Sequence, residues 1–154
     1  MSATVFERLS ARLTDAGIGF AVSHHAPVFT SEEAAAVRGV ALSSGAKALV
    51  VKAGEAFVLL VVPADRKLNS KKARVALGVK SLRFASREEV ESLTGLQPGS
   101  IPPFGSLFGL PTRCDPALGL NERINFNAGD HAISIRMTFA DYRMAESPEM
   151  ADVT

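Results

Sequence analysis

The feature that most restricts the fold is an 18-residue stretch, "AKALVVKAGEAFVLLVVP", residues 46–63. Two β-rich runs flank Gly54-Glu55, the length and chemistry of a tight hairpin turn. Both arms are almost continuously apolar rather than alternating, so both of their faces need cover. That places the pair at the centre of a sheet. The chain's longest apolar run, "AFVLLVVPA", is far too short to span a bilayer.

The remaining chain supplies the cover. Val5, Leu9 and Leu13, with Phe6 beside them, form an amphipathic helical stripe, with Thr4 as N-cap and Gly17 as stop. "IGFAVSHHAPVF" reads as extended to about Pro27. Thr30 with Glu33 makes a capping box for a short helix ended by Gly39, and Ser86 with Glu89 repeats it for "SREEVESLTG". "LNSKKARVALG" is a helix capped by Asn69 and stopped by Gly78, and "KSLRFA" is a strand. "RINFNAGDHAISIRMTF" finishes the sheet as a second hairpin around Asn127–Asp130. The last ten residues have little periodicity and read as a frayed tail. Hairpins mixed with helices imply an α+β fold: a single domain with a mixed, mostly antiparallel sheet and surrounding helices. The domain is expected over residues 3–144 and the tail over 145–154.

Composition narrows the function. At 154 residues, with 47% hydrophobic and 21% charged residues, the chain can bury a real core. Glu7, Arg8, Arg12 and Asp15 exclude a signal peptide, and one cysteine, Cys114, excludes an internal disulfide, so a cytoplasmic location is expected. His24 and His25 point to opposite faces of an extended segment and cannot share a metal. No ligand spacing for a structural metal is present. Nothing near Cys114 suggests a lowered pKa, so it reads as a spectator.

Charge is uneven although the net is only +1. Residues 66–87 hold Arg66, Lys67, Lys71, Lys72, Arg74, Lys80, Arg83 and Arg87 and no acid, eight of the chain's 17 basic residues. The absence of acids favours a polyanion contact, and a solvated helix face is the alternative. Scarce aromatics point to a phosphate backbone rather than stacked bases. Lys47, between Ala46 and Ala48 at a strand entrance, either faces a cleft and binds phosphate or carboxylate, or snorkels to solvent. "PGSIPPFG", residues 98–105, cannot be helix or central strand. It is either a stiff connector or a rigid loop whose bare backbone groups orient a ligand or an oxyanion; Gly99 would allow close approach.

Taken in order, "HAPVFTSEEAA", "GAKALVVK", "VPADRKLNSKKARVALG", "LRFASREEVESLTGLQPGSIPPFG" and "NERINFNAGDHAISI" resemble the YbaK/ProX family of editing domains associated with prolyl-tRNA synthetase. The resemblance spans residues 24–137. It implies a barrel-like sheet core and hydrolysis of mischarged aminoacyl-tRNA, with no cofactor and no metal. It implies catalytic roles for Lys47, Gly99 and Ser100, with Lys47 set against the terminal adenosine and its phosphate. Phe29, Thr30, Pro103 and His131 would line the aminoacyl pocket. Lys67, Lys71, Lys72 and Arg74 would hold the acceptor stem. The partners implied are the acceptor end of a mischarged tRNA, tRNA(Pro) with a small non-cognate amino acid, and prolyl-tRNA synthetase. Asn127 and Ala48 stand where some alanine-specific members carry histidine and asparagine, so alanine specificity is not implied. A non-catalytic tRNA-binding module and a hydrolase of another small ester are the competing readings.

Overall fold

The computed structural model describes residues 3–154. The apolar hairpin forms as its sequence predicts: β2 (Ala46–Ala53) and β3 (Ala56–Pro63) pair antiparallel, with Ala53 opposite Ala56 across the two-residue turn. Gly54 has φ +62°, a conformation most residues resist. β2 and β3 lie in the middle of a five-stranded sheet, β4 (Leu82–Phe84), β2, β3, β5 (Thr112–Cys114), β8 (Glu149–Met150), in which β5 runs parallel to β3 and β8 parallel to β5.

The two faces of this hairpin explain its composition. Ala46, Ala48, Val50, Leu59 and Val61 belong to the main core. Leu49, Val51, Val58, Leu60 and Val62 pack on the other face, under Ala73 and Leu77 of α3 (Ser70–Leu77). Sandwiched on both sides, neither arm has reason to alternate.

The second hairpin, β6 (Arg123–Asn127) and β7 (Ile133–Thr138), does not finish this sheet. With β1 (Ala21–His24) it builds a separate three-stranded antiparallel sheet in the order β1-β7-β6. Neither sheet closes, so the expected barrel-like core is replaced by two open sheets packed on a common core. β6 and β7 alternate strictly: Ile124, Phe126, Ile135 and Met137 enter that core beside Leu9 and Leu13 of α1 (Val5–Asp15). The intervening positions carry Asn125, Asn127, Ser134 and Arg136, which form an outward polar face.

Both N-caps predicted as boxes form: Thr30–Glu33 at α2 (Ser31–Arg38) and Ser86–Glu89 at α4 (Arg87–Thr94). Asn69 caps α3 by accepting from the Lys72 N–H.

The C-terminus departs from expectation. Residues 139–146 form α5 (Phe139–Glu146), and the chain beyond it is ordered rather than frayed. Val153 is fully buried, and Asp115 accepts from the N–H groups of Val153 (2.9 Å) and Thr154 (3.0 Å) and from the Thr154 hydroxyl (2.9 Å). One carboxylate thus pins the tail. In α5, the buried Tyr142 donates its hydroxyl to the Pro103 carbonyl at 2.7 Å, fixing the proline loop from below. Tyr142→Phe is expected to cost about 1–2 kcal/mol by leaving that carbonyl unpaired, measurable as a lower urea midpoint.

Candidate active site

Small residues create the central cavity. Gly45, Ala46 and Ala48 at the start of β2, Ala64 just beyond β3, and Ala34 and Ala35 on α2 line a hollow of about 160 Å³. Polar residues from several segments border the same space. Lys47, the second residue of β2, and Gly99 of the proline loop line the same cavity. Phe29, Thr30 and His131 line it as well, and no aspartate or glutamate does. Lys47 has no carboxylate within ion-pairing distance among the described residues. An unneutralised ammonium at a cavity wall is a receptor for an anionic group.

The loop is rigid because its carbonyls are claimed by the fold. Asn127 donates to the Gly99 carbonyl at 2.8 Å, the Gly129 N–H to the Ser100 carbonyl at 2.8 Å, and Tyr142 to that of Pro103. The N–H groups of Gly99 and Ile101 have no acceptor among the described residues, and both residues line the cavity. Gly99 has φ +91°, a backbone conformation that favours glycine, and it packs beside the His131 ring.

His131 lies against Phe29 with ring centroids 4.7 Å apart, and Phe29 is itself 71% exposed, a lid-like ring at the mouth. The His131 Nδ1 contacts the Val28 carbonyl at 3.1 Å. A carbonyl can only accept, so Nδ1 carries a proton, and Nε2 is the ring nitrogen without a partner among the described residues. Thr30 caps α2, accepting from the Glu33 N–H, while bordering the cavity.

Two expected site residues are elsewhere. Ser100 is 3% exposed, donates its hydroxyl to the Gln97 carbonyl at 2.8 Å, and does not line the cavity. Its hydroxyl braces the turn that begins at Gln97. Pro103 is likewise buried outside the lining, with its carbonyl bound by Tyr142. Both hold the loop; neither presents an atom to the cavity.

Lys67, Lys71, Lys72 and Arg74 do not line the cavity either. The Lys72 ammonium bonds the Thr154 carbonyl at 2.9 Å and approaches Asp152 at 3.5 Å, so it is spent partly on the tail. Arg83 makes a two-pronged pair with Glu89, at 2.7 and 2.9 Å, which holds the glutamate down to about 2. The basic window is therefore less free than its composition suggests.

The residue that sequence reasoning missed is Arg38. It ends α2, donates to Ser134 Oγ and Asn127 Oδ1 at 2.8 Å each, and lines the cavity. Burial without a carboxylate partner pulls it down to about 10. Asn127 thus ties this cation to the Gly99 carbonyl. The faint signal was Ala34 and Ala35, four and three residues earlier, which clear the helix face that Arg38 shares.

No group of three or more His, Cys, Asp or Glu among the described residues could hold a metal ion. Cys114 is buried, and desolvation, reinforced by Asp115, pushes its thiol up to about 12, too high for a nucleophile. Among the described residues, no helix is long and apolar enough to cross a membrane. What the cavity offers is two cations, two unclaimed N–H groups and one imidazole. That set suits binding an anionic substrate and hydrolysing an already activated ester.

The comparisons agree with that class. The chain belongs to the aminoacyl-tRNA editing domain family, which matches residues 25–145. It is 35% identical over 151 residues to the multifunctional Ser/Thr-tRNA deacylase ProXp-y of Escherichia coli (strain K12), covering 95% of this chain and 90% of that protein. It is 31% identical over 137 residues to the proline--tRNA ligase of Bacillus licheniformis, covering 80% of this chain and 23% of that enzyme. A crystal structure described as a "putative trans-editing enzyme for prolyl tRNA synthetase" superposes with a TM-score of 0.87 at 26% identity, covering 100% of this chain and 99% of that one.

Proposed function

We propose that the protein acts in trans, in the cytoplasm, as a deacylase that hydrolyses the ester of tRNA carrying a small non-cognate amino acid. The observation that carries the reading is that Lys47 and Gly99 line one acid-free cavity. Residues 3–144 form the editing unit in this account, with 145–154 strapped onto it.

The Lys47 ammonium anchors the phosphate of the terminal nucleotide, which sets the ester against the proline loop. Water attacks the ester carbonyl carbon, and the carbonyl oxygen becomes an oxyanion held by the Gly99 and Ile101 N–H groups. Each such donor typically contributes about 10²–10³ in rate. The tetrahedral species collapses by breaking the bond to the ribose oxygen, which takes up a proton while the amino acid leaves as its carboxylate. His131 Nε2 is placed to orient water or a ribose hydroxyl. No protein nucleophile is needed, consistent with an inert Cys114.

Seryl and threonyl esters are the first candidates, because a relative with this degree of identity is a Ser/Thr-tRNA deacylase. The pocket can meet their hydroxyls with Thr30, Asn127 and His131. Prolyl-tRNA synthetase is the proposed partner, since related domains lie within that enzyme. The test is a panel of seryl-, threonyl-, alanyl- and cysteinyl-tRNA, on tRNA(Pro) and on the cognate tRNAs. Release of free amino acid from at least one member is expected. Salt-sensitive tRNA binding with no release from any member would replace this reading with a non-catalytic binding module.

A further inference from the structure

A second cavity, of about 300 Å³, opens on the polar face of the three-stranded sheet, and Arg38 lines it as well as the first. Its other polar lining includes His24, His25, Asn125, Ser134 and Arg136, again with no aspartate or glutamate. The register explains the gathering. Arg136 lies opposite Ala21 on β1 and Asn125 on β6, and Ser134 lies opposite Ser23 and Asn127. Residues directly opposite one another project from the same side of a sheet, so all of these share one face. Ala21 leaves open the space beside the arginine.

The groups are held in place by neutral partners. Arg136 Nε donates to Asn125 Oδ1 at 3.1 Å, and Asn125, 3% exposed, donates in turn to Ser44 Oγ at 3.1 Å. Arg38 Nε donates to Ser134 Oγ, and His25 Nε2 lies 2.8 Å from that same oxygen. His25 Nδ1 faces the Ala26 carbonyl at 2.9 Å and so carries a proton, leaving Nε2 to accept from the Ser134 hydroxyl. Two guanidinium groups therefore face one cavity with fixed orientation and no counter-ion among the described residues. The half-buried Arg38 bears the cost of desolvation, which an anion in this cavity would offset.

We infer that this second cavity binds a backbone phosphate of the tRNA acceptor strand, with Arg136 gripping it and Arg38 shared with the aminoacyl cavity. A planar guanidinium offers paired donors that match phosphate oxygens better than the point charges of Lys71 and Lys72 on α3. Because one residue forms part of both walls, a strand entering the first cavity passes the second. The inference rests on the proposed function for the identity of the strand.

Uncharged RNA separates the two. Binding of an acceptor-stem minihelix ending in CCA is measured by fluorescence anisotropy across a salt series, for the wild type, Arg136→Ala and Arg136→Lys. Arg136→Ala is expected to weaken binding about tenfold and to reduce the log–log salt slope by about 1. Arg136→Lys should restore the slope but only part of the affinity. The ¹⁵Nε resonance of Arg136 should shift on adding the minihelix. Unchanged affinity and slope in a folded Arg136→Ala variant would overturn the site. So would an Nε resonance that responds to inorganic phosphate and not to the RNA. Neither readout depends on ester hydrolysis, so loss of deacylase activity and loss of this site register independently.

Discussion

Lys47→Ala is expected to lower kcat/KM for deacylation by on the order of 100-fold, the scale seen when one preorganised charge or donor is removed from a transition state. The substitution takes away an ammonium without an acidic partner among the described residues, so no buried carboxylate is orphaned by it. Small neighbours, Ala46 and Ala48, already set the local packing. The urea midpoint should therefore stay within experimental error of the wild type. A KM increase with unchanged kcat would assign Lys47 to uniform substrate binding, whereas loss in kcat would place its contact in the transition state. Lys47→Arg keeps the charge but enlarges the head group against the Gly45–Ala64 wall, where a Cβ on Gly45 would already meet Ala64 at 3.0 Å, and is expected to recover only part of the rate.

The second large effect is on stability. Asp115→Ala removes the acceptor for Ala117, Val153 and Thr154 N–H groups and for the Thr154 hydroxyl, at 2.8–3.0 Å. It is expected to cost about 3 kcal/mol, given that hydrogen bonds to a charged group are worth about 1.5–3 kcal/mol each and exposed donors recover water. For a chain of this length that is a fall of about 6–12 °C in Tm, measurable by calorimetry. Desolvation pushes the Asp115 carboxyl up, but the four bonds outweigh it and hold the group below its ordinary value. A depressed carboxylate contributes stability that is full above its unfolded pKa and is lost as pH falls through the lower folded value. The wild type should therefore lose this increment only below about pH 4, and Asp115→Ala should flatten that limb of the pH–stability curve.

What could be read from the sequence was what local chemistry decides. The central hairpin follows from β-branched arms about a turn, and the helix starts follow from Thr30, Asn69 and Ser86, each with a backbone N–H three residues on to accept from. Lys47 was visible because a lysine among alanines at a strand entrance is unusual. What could not be read depends on distant partners. β5 has three residues and β8 two, too short for any period to show; β5 exists because β3 offers an edge, and β8 because β5 does. The hairpin of β6 and β7 is local, yet its pairing with β1 rather than β2 is not, and that choice opens two sheets instead of one barrel.

The site divides in the same way. Stiffness of the proline loop is written in its residues, but which of its atoms face the cavity is fixed by Asn127, Gly129 and Tyr142, up to about 40 residues away. Hence Gly99 lines the cavity while Ser100 and Pro103 turn inward. Arg38 was hidden for a different reason. A cation in the last turn of a helix is the ordinary complement to the helix dipole, and only the polar face of the second sheet gives it another task.

The most direct measurement is a titration of ¹⁵N-labelled protein with a seryl-adenosine monophosphate whose ester is replaced by an amide, so that it binds without turning over. The account expects the largest amide shifts at Gly99, Ile101 and Lys47, with a matching change in the His131 ring. Saturable binding that perturbs α3 and leaves Gly99, Ile101 and Lys47 unmoved would contradict it.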